Sequence, residues 1–171
     1  MSGKETVAQG PRGIRAWCIL PLLYLLASVG FPPAGQGQDI SAAGGWIETI
    51  DAGDLISGAG SDLTDAHLSS ASATTISVTY VGSWRVDAKR TDSFWHANYT
   101  LFSRRTSGGS GSGSIAGGLS YQSISTTDAA FFSGTADRSG IDVQHRLTGM
   151  SVDAQPATYS TTVTFTLVST D

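Results

Sequence analysis

The sequence predicts an all-β fold, an immunoglobulin-like antiparallel β-sandwich of about seven strands. Three observations carry that expectation. Apolar and polar residues alternate with period two over much of the chain, the signature of strands with one buried face. No window sustains the 3.6-residue spacing of an amphipathic helix. Gly, Ser, Asp and Pro punctuate the gaps, so that strands recur roughly every 10 to 20 residues, as in a two-sheet domain.

Before the first strand the chain reads as a leader. Arg12 and Arg15 precede an apolar run from Trp17 to Val29, which passes into small residues as far as Gln38. A charged end, a short apolar core and small residues for the peptidase form a secretory signal peptide. The run has 13 residues including Pro21, short of the roughly 20 that a membrane-spanning helix needs. We therefore expect a cleaved signal peptide over residues 1–37, membrane contact only during export, and a mature chain that is secreted or held at the cell surface. Cuts after Gly30 or Gly37 fit best, because Ser28 or Gly35 supplies a second small residue two positions earlier.

Loss of the leader removes Lys4, Arg12, Arg15 and Glu5, leaving 7 basic and 13 acidic residues and a net charge near −6. Such a surface repels phosphate backbones, which argues against nucleic acid as a partner. Cys18, the one cysteine, lies in the leader; the mature domain is expected to have no disulfide and no thiolate chemistry. Charged residues are only 14% of the chain, against about 25% in an average soluble protein. Hydroxyls replace them, with 22 Ser and 18 Thr from Gln38 onward.

Residues 38–45 are a small-residue segment, expected to form a flexible N-terminal arm ahead of a sandwich over 46–171. The first strand is expected at Trp46–Ile50, and a helical turn around Ser61–Leu68, where Ser61 or Asp62 would cap it. Thr75–Val81 turns Ile76, Val78 and Tyr80 to one face. Trp84–Arg90 does the same with Trp84, Val86 and Ala88, and Gly82-Ser83 between them predicts a hairpin. Further strands follow at Asn98–Ser103, Leu119–Ser125, Ala130–Phe132 and Ile141–Leu147, the last with His145 on the face of Ile141, Val143 and Leu147. In Tyr159–Val168, Val163, Phe165 and Leu167 alternate with Thr162, Thr164 and Thr166. Ser107–Ser114 is a Gly/Ser stretch expected to be a flexible loop between strands.

The candidate sites differ in strength. His67, His96 and His145 accompany many serines, but no Gly-x-Ser-x-Gly elbow is present, so no catalytic residue is assigned. Gly111-x-Gly113 lacks the third glycine of a phosphate loop. Asp51, Asp54, Asp62 and Asp65, with Asp137 and Asp142, offer hard oxygen ligands for Ca²⁺; the spacing is not that of an EF-hand, and such residues commonly bond to nearby amides. Trp46, Trp84, Trp95 and Tyr99 suggest an aromatic platform for a glycan, with Trp95 and Tyr99 as the ligand-binding candidates. Asn98-Tyr-Thr100 matches a glycosylation acceptor. The Thr162, Thr164, Thr166 row reads as ordinary β-propensity. Finally, Ile40, Ala42, Trp46 and Ile50 occupy even positions along the arm and the adjoining segment. They could fill a groove in a neighbour's sheet by β-strand addition.

The ending Pro156-Ala-Thr-Tyr-Ser-Thr-Thr-Val-Thr-Phe-Thr-Leu167 resembles the last strand of exported bacterial surface sandwiches, such as spore coat protein U and fimbrial subunits. The resemblance implies an immunoglobulin-like subunit without enzymatic activity. It leads to the expectation of a structural subunit of an extracellular filament, pilus or surface layer. Its partners would be copies of itself, with Val163, Phe165 and Leu167 joining Ile40, Ala42, Trp46 and Ile50 at subunit contacts. The alternative expectation is a monomeric secreted glycan-binding module. Neither requires a cofactor.

Overall fold

Strands that alternate as Thr74-Thr-Ile-Ser-Val-Thr79 does leave one apolar face each, and two sheets of such strands bury those faces against one another. The computed structural model describes residues 37–171 of the chain; of the leader expected over residues 1–37, all but Gly37 lies outside the described residues. Among these residues the chain forms ten strands: β1 Asp39–Gly44, β2 His67–Leu68, β3 Thr74–Thr79, β4 Ser83–Phe94, β5 Thr100–Arg105, β6 Ile115–Gly117, β7 Gln122–Ser123, β8 Ala129–Thr135, β9 Arg138–Thr148 and β10 Ser160–Ser169. One sheet runs β1-β3-β9-β5-β7, with β2 also on β9, and the other runs β10-β4-β8-β6. Every pairing is antiparallel. The protein is a β-sandwich.

The winding alternates between sheets. Strands β3, β5, β7 and β9 lie in the first sheet and β4, β6, β8 and β10 in the second. The order β3-β9-β5-β7 facing β4-β8-β6 follows the winding of a jelly roll in seven strands instead of eight, with β1 and β10 added at neighbouring edges. The expected hairpin is therefore replaced by a crossing: β3 pairs with β1 and β9, while β4 pairs with β10 and β8. Burial explains this. Ile76, Val78, Trp84 and Val86 are all at most 1% exposed, which two strands achieve by facing each other across the sandwich.

Other expectations change for similar reasons. The arm at 38–45 is not loose: six residues from Asp39 to Gly44 pair with β3, because Ile40 finds a place in the core. Trp46–Ile50 is not a strand, since β1 already occupies that sheet edge. The turn near Ser61–Leu68 is not helical; a 3-10 turn forms earlier, at Ala52–Asp54, where Asp51 caps it. The strand at Leu119–Ser125 shortens to β7. The Gly/Ser segment is stitched to the start of β9, with Ser110 bridged to Ser139 and the Arg138 guanidinium donating to the carbonyls of Gly108 and Gly113.

Trp84 centres the core. It is fully buried, and its Nε1 donates to the Ala136 carbonyl at 2.8 Å. Gly134 of β8 sits under its ring: a Cβ there would lie 2.5 Å from the indole, so no larger residue fits without displacing Trp84.

Candidate ligand cavity

Three irregular segments gather at one end of the sandwich: residues 45–65, the β4–β5 connection and the β9–β10 connection. Between them and the two sheets lies a cavity of about 880 Å³. This is within the roughly 300 to 1,000 Å³ of small-molecule sites. Leu101 of β5 and His145 and Leu147 of β9 line it from one sheet, and Thr161, Val163 and Phe165 of β10 from the other. Trp46, Ile50, Leu55 and Leu63 line one side, and Met150, Val152, Pro156 and Tyr159 another. The lining is overwhelmingly apolar, which favours an apolar occupant.

Trp95 and Tyr99, the ligand-binding candidates read from the sequence, come together on this cavity. Their rings meet edge to face at 5.8 Å, and the Trp95 indole donates to the Tyr99 carbonyl at 3.0 Å. The Arg90 guanidinium lies over Trp95, 4.9 Å from the ring centroid. Tyr159 extends the cluster, edge-on to Tyr99 at 5.0 Å and stacked on Phe94 at 5.1 Å. The group makes a ring-lined wall rather than a flat platform. Trp84 takes no part, being in the core, whereas Trp46 lines the cavity elsewhere.

The subunit-contact candidates divide. Ile40 and Ala42 of β1 and Leu167 of β10 pack on the chain's own core, as do Trp46, Val163 and Phe165, which together with Ile50 also line the cavity.

Glu48, Tyr159 and Met150 are not singled out by the sequence: Glu48 lies within the expected strand Trp46–Ile50, Tyr159 only heads the alternating segment Tyr159–Val168, and Met150 falls between segments. Glu48 ties the wall to the sheet: Oε2 accepts from Trp46 Nε1 at 3.0 Å, and Oε1 lies 3.0 Å from His67 Nδ1. His67 Nε2 donates to the Thr64 carbonyl at 3.0 Å. The aspartates read as candidate Ca²⁺ ligands do similar work. Asp51 and Asp54 form a capping box around the 3-10 turn. Asp62 accepts from the amides of Leu63 and Val152, and Asp65 from the amide of Gly149. The two amides hold the Asp62 carboxyl below its ordinary range, Val152 most strongly. Asp137 accepts from the Tyr80 amide and Asp142 from the Thr75 hydroxyl. The carboxylates read as Ca²⁺ ligands are thus engaged as acceptors, and no cluster of three or more metal-ligating side chains occurs among the described residues. Asp62 and Asp65 join residues 45–65 to the β9–β10 connection across the cavity rim.

His145 lies on the cavity floor. It is buried, with Nδ1 2.8 Å from Ser103 Oγ and Nε2 2.9 Å from Thr74 Oγ1. Desolvation pushes its pKa down to about 4, so the ring is neutral at pH 7. A serine beside a histidine invites comparison with a catalytic triad. Here Thr74 stands where a carboxylate would orient the imidazole, and Ser103 is 0% exposed. The row Ser103–His145–Thr74 satisfies its own polar atoms inside an apolar region.

Comparison with family models, with curated proteins and with solved structures finds no match to this chain.

Proposed function

We propose that this chain is a non-catalytic, exported binding module that takes a small, predominantly apolar ligand between its sheets. The observation that carries the reading is the 880 Å³ cavity lined by Trp46, Trp95, Tyr99, Tyr159, Met150 and Phe165. An apolar space of that size is a poor host for water, because water there finds few hydrogen-bond partners. A ligand with rings or an acyl chain recovers the missing contacts. The reading keeps Trp95 and Tyr99 as binding residues and replaces the sugar with an apolar molecule, since the Trp95 indole N–H is already engaged. Export rests on the basic, apolar and small-residue order of residues 12–38.

A titration with an environment-sensitive apolar dye tests the binding. We expect one saturable site per chain, displaced by medium-chain fatty acids or aromatic hydrocarbons. Val163→Trp fills the cavity from the sheet and Ala157→Trp from the loop; each should abolish dye binding with the far-ultraviolet spectrum retained. Absence of a saturable site, or binding untouched by both folded variants, would overturn the reading.

A second reading, assembly by strand addition between copies, keeps support from β1. Among the described residues it is an edge strand joined only to β3, and it ends at Gly44, whose φ of +103° suits glycine, followed by Gly45. A hinge there would let one copy's β1 take the same register on another's β3. Electron microscopy of the native protein and of a chain lacking Gln38–Gly45 tests it: filaments lost on truncation support exchange, and filaments that persist exclude β1 as the donor.

A further inference from the structure

The seven lysines and arginines among the described residues are not treated alike. On β4, Arg85 pairs with Asp87, Lys89 with Asp128 and Arg90 with Asp92. Arg105 and Arg138 are bound by carbonyl oxygens, those of Gly117 and Ser107 and those of Gly108 and Gly113. The remaining two, Arg104 of β5 and Arg146 of β9, lie on the outer face of the first sheet. Neither has a carboxylate partner among the described residues.

Both are held by aromatic rings. The Arg146 guanidinium carbon lies 4.5 Å from the Phe102 centroid and 4.4 Å from that of Tyr121, and the Arg104 carbon lies 4.8 Å from Tyr121. The strand register explains the meeting, because Phe102 pairs with Arg146 and Arg104 with Gln144. Gln144 Oε1 then accepts from Arg104 Nε and Nη2 and from the Tyr121 hydroxyl, at 2.9 to 3.1 Å, which fixes Arg104 and the tyrosine together. Arg146 receives nothing comparable. Its guanidinium donates no hydrogen bond among the described residues, and its Nε is buried without a partner.

A guanidinium pressed against ring faces is oriented by them, while its in-plane N–H groups remain for an acceptor. The terminal nitrogens of Arg146 form a fork of the geometry that receives two oxygens of one planar or tetrahedral anion. An anion on this fork would offset the charge of a guanidinium that is held by two rings and has neither a carboxylate partner nor a hydrogen-bond acceptor among the described residues. We propose that Arg146, with Arg104 beside it, forms a binding site for a single oxyanion group, carboxylate, sulfate or phosphate, on the outer face of the β5–β9 pair. The site is separate from the apolar cavity, which His145 lines from the opposite face of β9.

Arginine side-chain nitrogen–proton spectra, recorded as phosphate, sulfate or acetate replaces chloride at constant ionic strength, test the proposal. The Arg146 Nε signal should move along a saturable curve, the shift should vanish in Arg146→Gln, and the affinity should fall severalfold in Arg104→Gln. Arg85→Gln, on the other sheet, should leave the curve unchanged. A sulfated polysaccharide in a parallel titration distinguishes free ions from groups on a larger carrier: tighter binding lost in Arg146→Gln assigns the site to the carrier, and equal binding per sulfate assigns it to the ion. A shift that is linear in every anion, or a curve unchanged in Arg146→Gln, would overturn the proposal.

Discussion

Glu48 and His67, 19 residues apart in the chain, meet at 3.0 Å, and the same carboxylate holds the Trp46 indole at 3.0 Å. One side chain thus joins a segment with no regular structure to β2 and holds a wall of the cavity. Glu48→Ala should cost about 1 to 3 kcal/mol, since it strips hydrogen bonds from a buried imidazole and a half-buried indole. Thermal unfolding measures the loss, and tryptophan emission should shift to the red as Trp46 gains water. Glu48→Gln, which keeps an acceptor, should lie between the variant and the native chain.

Gly134 is set by Trp84 in a comparable way. Gly134→Ala places a methyl 2.5 Å from the indole and 2.7 Å from the Ser114 carbonyl, so we expect destabilisation of about 2 kcal/mol or more. Trp84→Phe in the same chain should recover part of that loss, because the smaller ring makes room. A double-mutant cycle by urea unfolding reads the coupling; additive effects would contradict the packing account.

His145 makes stability depend on pH. Its folded-state pKa is about 4 and its unfolded value about 6.5, so between these values the unfolded chain binds more protons. Stability from the neutral ring is fully present above pH 6.5 and falls as the pH drops towards 4, by about 3 kcal/mol in all. His145→Gln should be less stable at pH 7 and show a flatter stability profile from pH 6.5 to 4. An unchanged slope in that window would place the dependence elsewhere.

Asp62 spans the cavity rim through the Val152 amide at 2.9 Å. Asp62→Ala should leave the sandwich core intact but speed hydrogen exchange at Val152 and raise the release rate of a bound apolar dye. Stopped-flow dissociation measures the second effect. Release unchanged in the variant would mean that the rim does not gate the cavity.

Legibility in the sequence follows periodicity. Strands β3, β4, β9 and β10 are readable because each buries one face, which imposes alternation on its residues. The inward position of His145 follows from the same rule, as does the placing of Phe165. Trp95 stands out as an aromatic residue beyond the end of an alternating segment. Glu48 and Met150 carry no such mark, and Tyr159 shows only its place at the head of the β10 alternation; the roles of all three depend on partners, such as His67 for Glu48, that only the folded chain brings near. The acidic residues illustrate the limit: their crowding in the sequence suggests an ion, and in the fold they accept hydrogen bonds from backbone amides and, at Asp142, from the Thr75 hydroxyl.

By itself, the sequence determined that the chain makes two packed antiparallel sheets, and which face of the strongest strands is buried, because local alternation and turn residues suffice for that. Tertiary structure alone decided that β3 and β4 face each other rather than pair, that residues 39–44 complete the first sheet, and that an apolar cavity opens at one end. These outcomes depend on competition among distant segments for the same edges and the same buried volume, and such competition leaves no local pattern to read.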